Sequence, residues 1–258
     1  MECWHMSGAG NDFMVVDARD LTMDFSRMAR DLCALSGADG FMAVDHSDVA
    51  DFRLHFYNSD GSRGEMCGNG SRCVCRFAYE KGIAGETMVV QTDAGLVPGR
   101  RITESQYRVK LNNPGIADIH RKPDVAYVEL GSPGVPHAVT EVPTLRWSDM
   151  EELRPRAAAL RHDPAFPKGA NVNFYRWIGE NRVRVLTFER GVEDYTLACG
   201  TGCGSTAVTL WLRGELAGGR LTAETRGGIL EVAVDGHDGK VESLLLEGPT
   251  ELVRIYEI

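Results

Sequence analysis

Phe188-Glu189-Arg190-Gly191-Val192-Glu193-Asp194-Tyr195-Thr196-Leu197-Ala198-Cys199-Gly200-Thr201-Gly202 is the stretch on which the fold turns, because an earlier segment repeats its plan. Phe52-Arg53-Leu54-His55-Phe56 leads through a loop to Cys67-Gly68-Asn69-Gly70-Ser71. Arg184-Val185-Leu186-Thr187-Phe188 leads through a loop to Cys199-Gly200-Thr201-Gly202. In both, the Phe stands eleven positions before the Cys, and the two cysteines are 132 residues apart, close to half of the 258-residue chain. A shared strand, loop length and Cys-Gly-x-Gly turn point to two copies of one supersecondary unit.

The segments C-terminal to the two cysteines match as well. Cys73-Val74-Cys75-Arg76-Phe77-Ala78-Tyr79 is largely apolar, and Ala207-Val208-Thr209-Leu210-Trp211-Leu212 is more so. A helix apolar on most sides must be buried on most sides. Each half is therefore expected to wrap its strands around one central helix, with the Cys at that helix's N-terminus.

Outward from the repeat, Phe13–Asp17 reads as a buried strand. A helix comes next, with Asp24 or Ser26 as cap, Met28, Leu32 and Leu35 as its apolar stripe, and Gly37 as its end. Strand-like runs recur at 88–92, 107–111, 126–130, 138–142, 172–177, 182–188, 229–234, 243–246 and 252–256. Pro155 can open a short helix that ends before Pro164. Asn112-Asn113-Pro114-Gly115 is a turn signal near mid-chain and marks the expected domain boundary.

Composition narrows the function classes. Apolar residues make up 43% and charged residues 25%, as in a soluble globular protein. Asp and Glu outnumber Lys and Arg by 37 to 28, and a net charge of -9 repels phosphate backbones, so no nucleic-acid partner is expected. The charge-free run Tyr195–Leu212 is too broken by Gly, Ser and Thr to span a membrane. No secretory signal is visible at the N-terminus, and seven cysteines, an odd and sparse set, argue against a disulfide framework; a cytoplasmic protein with reduced thiols is expected. The spacings within Cys67/Cys73/Cys75 and Cys199/Cys203 do not suit zinc, and no metal is expected.

A helix N-terminus presents unpaired N–H groups and the positive end of the dipole. It binds anions and lowers the pKa of a thiol placed there. No Lys-Ser or Lys-Thr stands after either glycine pair, so a P-loop is excluded, and the third Gly of a dinucleotide fingerprint is missing from both. A nucleophilic Cys partnered by His137 leaves the second Cys motif unexplained. Two thiols facing each other across a domain cleft suit inversion of a carbon centre, one taking a proton from one face and the other delivering one to the opposite face. The two helix ends would hold a carboxylate between them. Nothing in the chain suggests pyridoxal phosphate or a nucleotide, and no cofactor is expected.

With these motifs in place, the residues resemble the diaminopimelate epimerase family over nearly the whole chain. The motifs are Gly8-Ala9-Gly10-Asn11-Asp12-Phe13, Tyr57-Asn58-Ser59-Asp60-Gly61-Ser62, Met66-Cys67-Gly68-Asn69-Gly70-Ser71-Arg72-Cys73, Ala170-Asn171-Val172-Asn173-Phe174, Phe188-Glu189-Arg190-Gly191 and Ala198-Cys199-Gly200-Thr201-Gly202. The related proline racemases typically have His where Asn69 stands. The resemblance implies an α/β (α+β) fold of two pseudo-symmetric domains, each a strand-rich, barrel-like sheet around a central helix, with the active site in the cleft between them. The expected division is 1–114, completed by the C-terminal strand 249–258, and 115–248.

The resemblance further implies a cofactor-independent isomerase that interconverts LL- and meso-diaminopimelate in lysine and peptidoglycan precursor synthesis. Cys67 and Cys199 would be its acid/base pair. Gly68, Asn69, Gly200 and Thr201 would meet the carboxylate at the reacting carbon. Asn11, Asn58, Asn171 and Arg190 would hold the rest of the amino acid diacid, mainly its distal end. Glu189 and His137 would lie near the thiols and tune their proton affinity. A homodimer is implied as well.

Three positions depart from the family pattern. Val135 stands where many members carry Asn, Gly40 where some carry Gln, and His5 where Lys is common. Val135 bears on the distal pocket, so another racemase of this architecture, such as one acting on histidine, is the alternative. A non-catalytic anion-binding or redox-sensing protein would use the same two thiols.

Overall fold

The computed structural model describes residues 1–64 and 67–258; Met66, part of the first Cys motif, lies outside the described residues. By its internal contacts the chain divides into two compact units, Met1–Lys110 with Glu247–Ile258, and Leu111–Leu246.

The first unit runs β1 (Glu2–Ser7), β2 (Asp12–Asp17), α1 (Phe25–Ser36), β3 (Gly40–Asp45), β4 (Phe52–Asn58), β5 (Arg63–Gly64), α2 (Gly68–Glu80), β6 (Thr87–Thr92), β7 (Gly95–Arg101) and β8 (Gln106–Lys110). The second runs β9 (Pro114–Lys122), β10 (Val125–Gly131), β11 (Gly134–Glu141), α3 (Met150–Arg161), β12 (Asn171–Gly179), β13 (Arg182–Glu189), β14 (Asp194–Tyr195), α4 (Gly200–Leu212), β15 (Arg220–Thr225), β16 (Gly228–His237) and β17 (Lys240–Pro249), whose last three residues already fall in the first unit. The chain then returns to the first unit with β18 (Glu251–Glu257).

The pairings match step for step. β2 lies parallel to β3 as β11 lies parallel to β12, with one helix in each crossover. β3 and β12 continue antiparallel into β4 and β13, which pair parallel with β6 and β15. β18 flanks β1 as β9 flanks β10. Each sheet thus curls around one 13-residue helix, α2 or α4, of which ten residues are buried. Small residues permit that enclosure. A Cβ on Gly70 would collide with Met42, and one on Gly204 would lie 2.8 Å from Leu111 Cδ1. Thr206 and Thr209 are buried in α4 by bonding their hydroxyls to the carbonyls of Gly202 and Ser205, both at 2.9 Å.

Several local expectations need correction. Asp24 caps α1 and Gly37 ends it in a left-handed conformation, but its buried stripe is Ala29, Leu32 and Cys33, while Leu35 points to solvent. Pro155 lies inside α3 rather than opening it. α3 starts upstream, continuing from a 3-10 turn at Trp147–Asp149 in which Asp149 accepts the N–H of Arg146 at 2.9 Å. Pro114-Gly115 opens β9 instead of a turn; first position in a strand suits a residue without an N–H. β1, β3, β7, β9 and β15, with the two-residue β5 and β14, carried no readable strand signal.

Candidate active site

Both cysteines occupy the N-cap of their unit's central helix, in extended conformation: Cys67 at φ −129°, ψ 119° and Cys199 at φ −120°, ψ 108°. This geometry turns the first N–H groups of the helix outward beside the sulfur.

In the first unit, Ser71 N–H closes the first turn onto the Cys67 carbonyl at 2.7 Å. The fully buried Arg72 donates to the Gly68 carbonyl at 3.3 Å. Gly8 packs so tightly on this turn that a Cβ there would lie 2.8 Å from the Asn69 carbonyl. That fixes the loop carrying Asn11, whose Oδ1 accepts from Cys67 Sγ at 3.5 Å. The orientation of Asn11 is set by Asp39, which accepts from Asn11 Nδ2 at 2.5 Å and from the Asp12 N–H at 2.8 Å. The Asp39 carbonyl also accepts the Ser59 N–H at 3.1 Å and so ties in the loop that begins at Asn58. Asn58 itself donates to Ser62 Oγ at 2.9 Å.

In the second unit, Cys199 Sγ accepts the Gly202 N–H at 3.3 Å and lies 3.4 Å from Thr201 Oγ1. Gly202 is required here, since a Cβ would collide with Asn173 Oδ1. Burial, reinforced by the Glu189 carboxylate, holds the Cys199 thiol well above its ordinary range; the Thr201 hydroxyl and Gly202 N–H pull the other way and lose. The helix end alone predicts a lowered thiol pKa, and for Cys199 the structure reverses that expectation.

Behind this turn, Asn173 donates to His137 Nδ1 and to the Ala138 carbonyl, both at 3.1 Å, and accepts from Thr187 Oγ1 at 2.9 Å. Burial, together with the Arg190 charge, depresses His137 to about 3, so its imidazole is neutral. Asn171 accepts the Arg190 N–H through Oδ1 at 2.8 Å, and the Arg190 guanidinium donates to the Lys168 carbonyl at 3.0 Å. Val135 is 39% exposed and offers no polar group.

Each unit therefore gathers its own share of the sequence candidates. Asn11, Cys67, Gly68 and Asn69 meet at the start of α2, with Asn58 joined through Asp39. Glu189, Cys199, Gly200 and Thr201 meet at the start of α4, and Asn171 with Arg190 forms a second group. Sequence reasoning passed over Asp39, Thr187 and Asn173. Asn173 could have been found as the strand partner of Asn171 two positions on, facing the same side. Among the described residues no three His, Cys, Asp or Glu side chains cluster as metal ligands would, and no helix is long and apolar enough to cross a membrane.

The two-unit α/β backbone is shared by solved structures of remote sequence. A phenazine biosynthesis protein of the PhzF family from Bacillus anthracis superposes with a TM-score of 0.77 at 16% identity, covering 100% of this chain and 98% of that one. A hydroxyproline epimerase from Agrobacterium vitis superposes with 0.70 at 17% identity, covering 99% and 91%. The chain belongs to the diaminopimelate epimerase family, whose model matches residues 3–112 and 131–253. Diaminopimelate epimerase of Aquifex aeolicus is 37% identical over 249 residues, 88% of each chain. That of Methanothrix thermoacetophila is 36% identical over 274 residues, covering 98% of this chain and 94% of its own.

Proposed function

We propose that the chain is a diaminopimelate epimerase, an isomerase that interconverts LL- and meso-diaminopimelate by moving a proton at one α-carbon. The observation that carries this reading is the matched pair of thiols, each capping the central helix of its own unit in a chain of this family. Cys67 and Cys199 are the two acid/base groups, and the reaction requires them to reach opposite faces of one α-carbon. Burial, together with Glu189, opposes ionisation of Cys199, so Cys199 enters as the proton donor, and the reaction then calls on Cys67 as the base. Turnover leaves Cys67 protonated and Cys199 as thiolate, ready for the reverse direction. First-turn N–H groups at Gly68, Asn69, Gly200 and Thr201 stabilise the carboxylate beside the carbanionic centre.

Asn11, Asn58, Asn171 and Arg190 hold the remainder of the substrate, the planar fork of Arg190 suiting its distal carboxylate. His137, being neutral, acts through its bond to Asn173 rather than as a cation beside a thiolate. The protein works without cofactor or metal, as a cytoplasmic homodimer in lysine and peptidoglycan precursor synthesis. The test is incubation in deuterated water without pyridoxal phosphate. Deuterium enters the α-position of diaminopimelate; incorporation into histidine instead would favour the alternative racemase, and incorporation into no amino acid would reject both.

A further inference from the structure

Glu129 is a charged side chain with no part in the proton transfer, and it is almost fully enclosed, 5% exposed in the middle of β10. Its Oε1 accepts from Tyr127 OH at 2.6 Å and its Oε2 from Lys168 Nζ at 2.6 Å. Burying a carboxylate is costly unless its partners are well placed, and removing one partner is costlier still. The neighbouring backbone is shaped to admit it: a Cβ on Gly134 would lie 2.6 Å from Glu129 Cβ.

The pair does more than neutralise itself. Lys168 is the residue whose carbonyl accepts the Arg190 guanidinium at 3.0 Å. The same short segment continues through Gly169 to Asn171, which receives the Arg190 N–H at 2.8 Å. On the other side of Arg190, Glu193 is held by Arg161 at 2.8 Å and itself takes the Gly191 N–H at 3.0 Å. The segments on both sides of Arg190 are thus each tied down by an ion pair, Arg161 with Glu193 and Lys168 with Glu129, and the Lys168 segment is anchored in the core by Glu129. Glu129 meets Lys168 directly, and Arg121, 5.1 Å from the Tyr127 ring centroid, is a second positive charge beside it.

We propose that Glu129, acting through Lys168, is a positioning residue that fixes the Arg190 guanidinium and thereby sets the preference for a substrate with a second carboxylate. This rests on the diaminopimelate reading and deepens it. Lysine is the natural probe, being diaminopimelate without its distal carboxyl group. Its α-proton exchange is compared with that of diaminopimelate in wild type, Glu129→Gln, Lys168→Met and Lys168→Arg, each checked for native melting behaviour.

In Glu129→Gln and Lys168→Met, KM for diaminopimelate rises roughly tenfold with kcat little changed, the weight of one charge-assisted bond lost from positioning. The diaminopimelate-to-lysine ratio of kcat/KM falls by the same factor, and Lys168→Arg restores most of it. Variants that fold and keep the wild-type ratio overturn the inference alone. A fall in kcat on both substrates alike also overturns it, as a general structural effect. Wild-type protein that neither binds nor exchanges diaminopimelate overturns the underlying reading as well.

Discussion

Asn173 Nδ2 donates to His137 Nδ1 across 3.1 Å, and this one bond decides the tautomer of the ring. The amide cannot be reversed, because Nδ2 also serves the Ala138 carbonyl and Oδ1 takes the Thr187 hydroxyl. Nδ1 is therefore the acceptor and Nε2 carries the proton. A fully buried ring fixed in this way resists a second proton.

Stability should register that resistance. His137 titrates near 3 in the folded protein against an ordinary 6.5, so the unfolded chain binds a proton first as pH falls. Stability from this group is complete above pH 6.5 and declines from there down to about pH 3, by about 2 kcal/mol at pH 5. Urea melts at pH 7.5 and pH 5 measure it. In His137→Gln the loss between the two pH values shrinks by about that amount; an unchanged difference would contradict the neutral ring.

Cys67→Ser and Cys199→Ser each lower turnover roughly 10²-fold or more, the usual weight of a positioned acid or base. Steady-state epimerisation of purified variants checks this. Near-normal turnover in either variant removes that sulfur from the mechanism.

Glu189→Gln takes away a negative charge beside Cys199 while burial remains. The Cys199 thiol then ionises at lower pH than in wild type, though still later than an exposed thiol. Iodoacetamide alkylation tracked across pH, with the modified peptide read by mass spectrometry, reports it. A profile for Cys199 that does not move toward lower pH would show that the carboxylate exerts no hold.

Asp39→Ala removes the acceptor that turns the Asn11 amide toward Cys67. KM for diaminopimelate rises roughly tenfold, and Asp39→Asn, which keeps an acceptor, recovers part of it. Kinetics indistinguishable from wild type would make the Asp39–Asn11 bond irrelevant to binding.

Gly202→Ala drives a methyl group into Asn173 Oδ1 and toward Thr187 Oγ1, and destabilises the protein by roughly 1–3 kcal/mol. A Cβ on Gly85 meets nothing nearer than Thr87 O at 3.9 Å, so Gly85→Ala stays within about 0.5 kcal/mol. Equal melting temperatures for the two variants would show that the α4 turn tolerates a side chain.

The repeated Phe-loop-Cys-Gly-x-Gly pattern made the two central helices and their capping cysteines legible, because glycine spacing and an unbroken apolar run are local signals. β1, with Trp4 and Met6 buried beside His5, ends at Gly8-Ala9-Gly10-Asn11 and pairs with β2 across that turn, but its other edge is completed only by residues 251–257, a partner that no local signal announces. Asp39 and Glu129 were illegible for a related reason. An acidic residue gives no sign in sequence that its partners, Asn11 or Lys168, will arrive from 28 or 39 positions away. Leu35 misled because helical spacing marks a face without saying how far the covering layer extends.

The pairing of β1 with β18 reverses the order of synthesis. Residues 111–246 form a contiguous unit that can close as soon as it has left the ribosome, whereas the unit begun first waits for residues 247–258. During translation the earlier half therefore carries an open sheet edge along Glu2–Ser7, and it is this half that a nascent-chain chaperone would have most reason to hold.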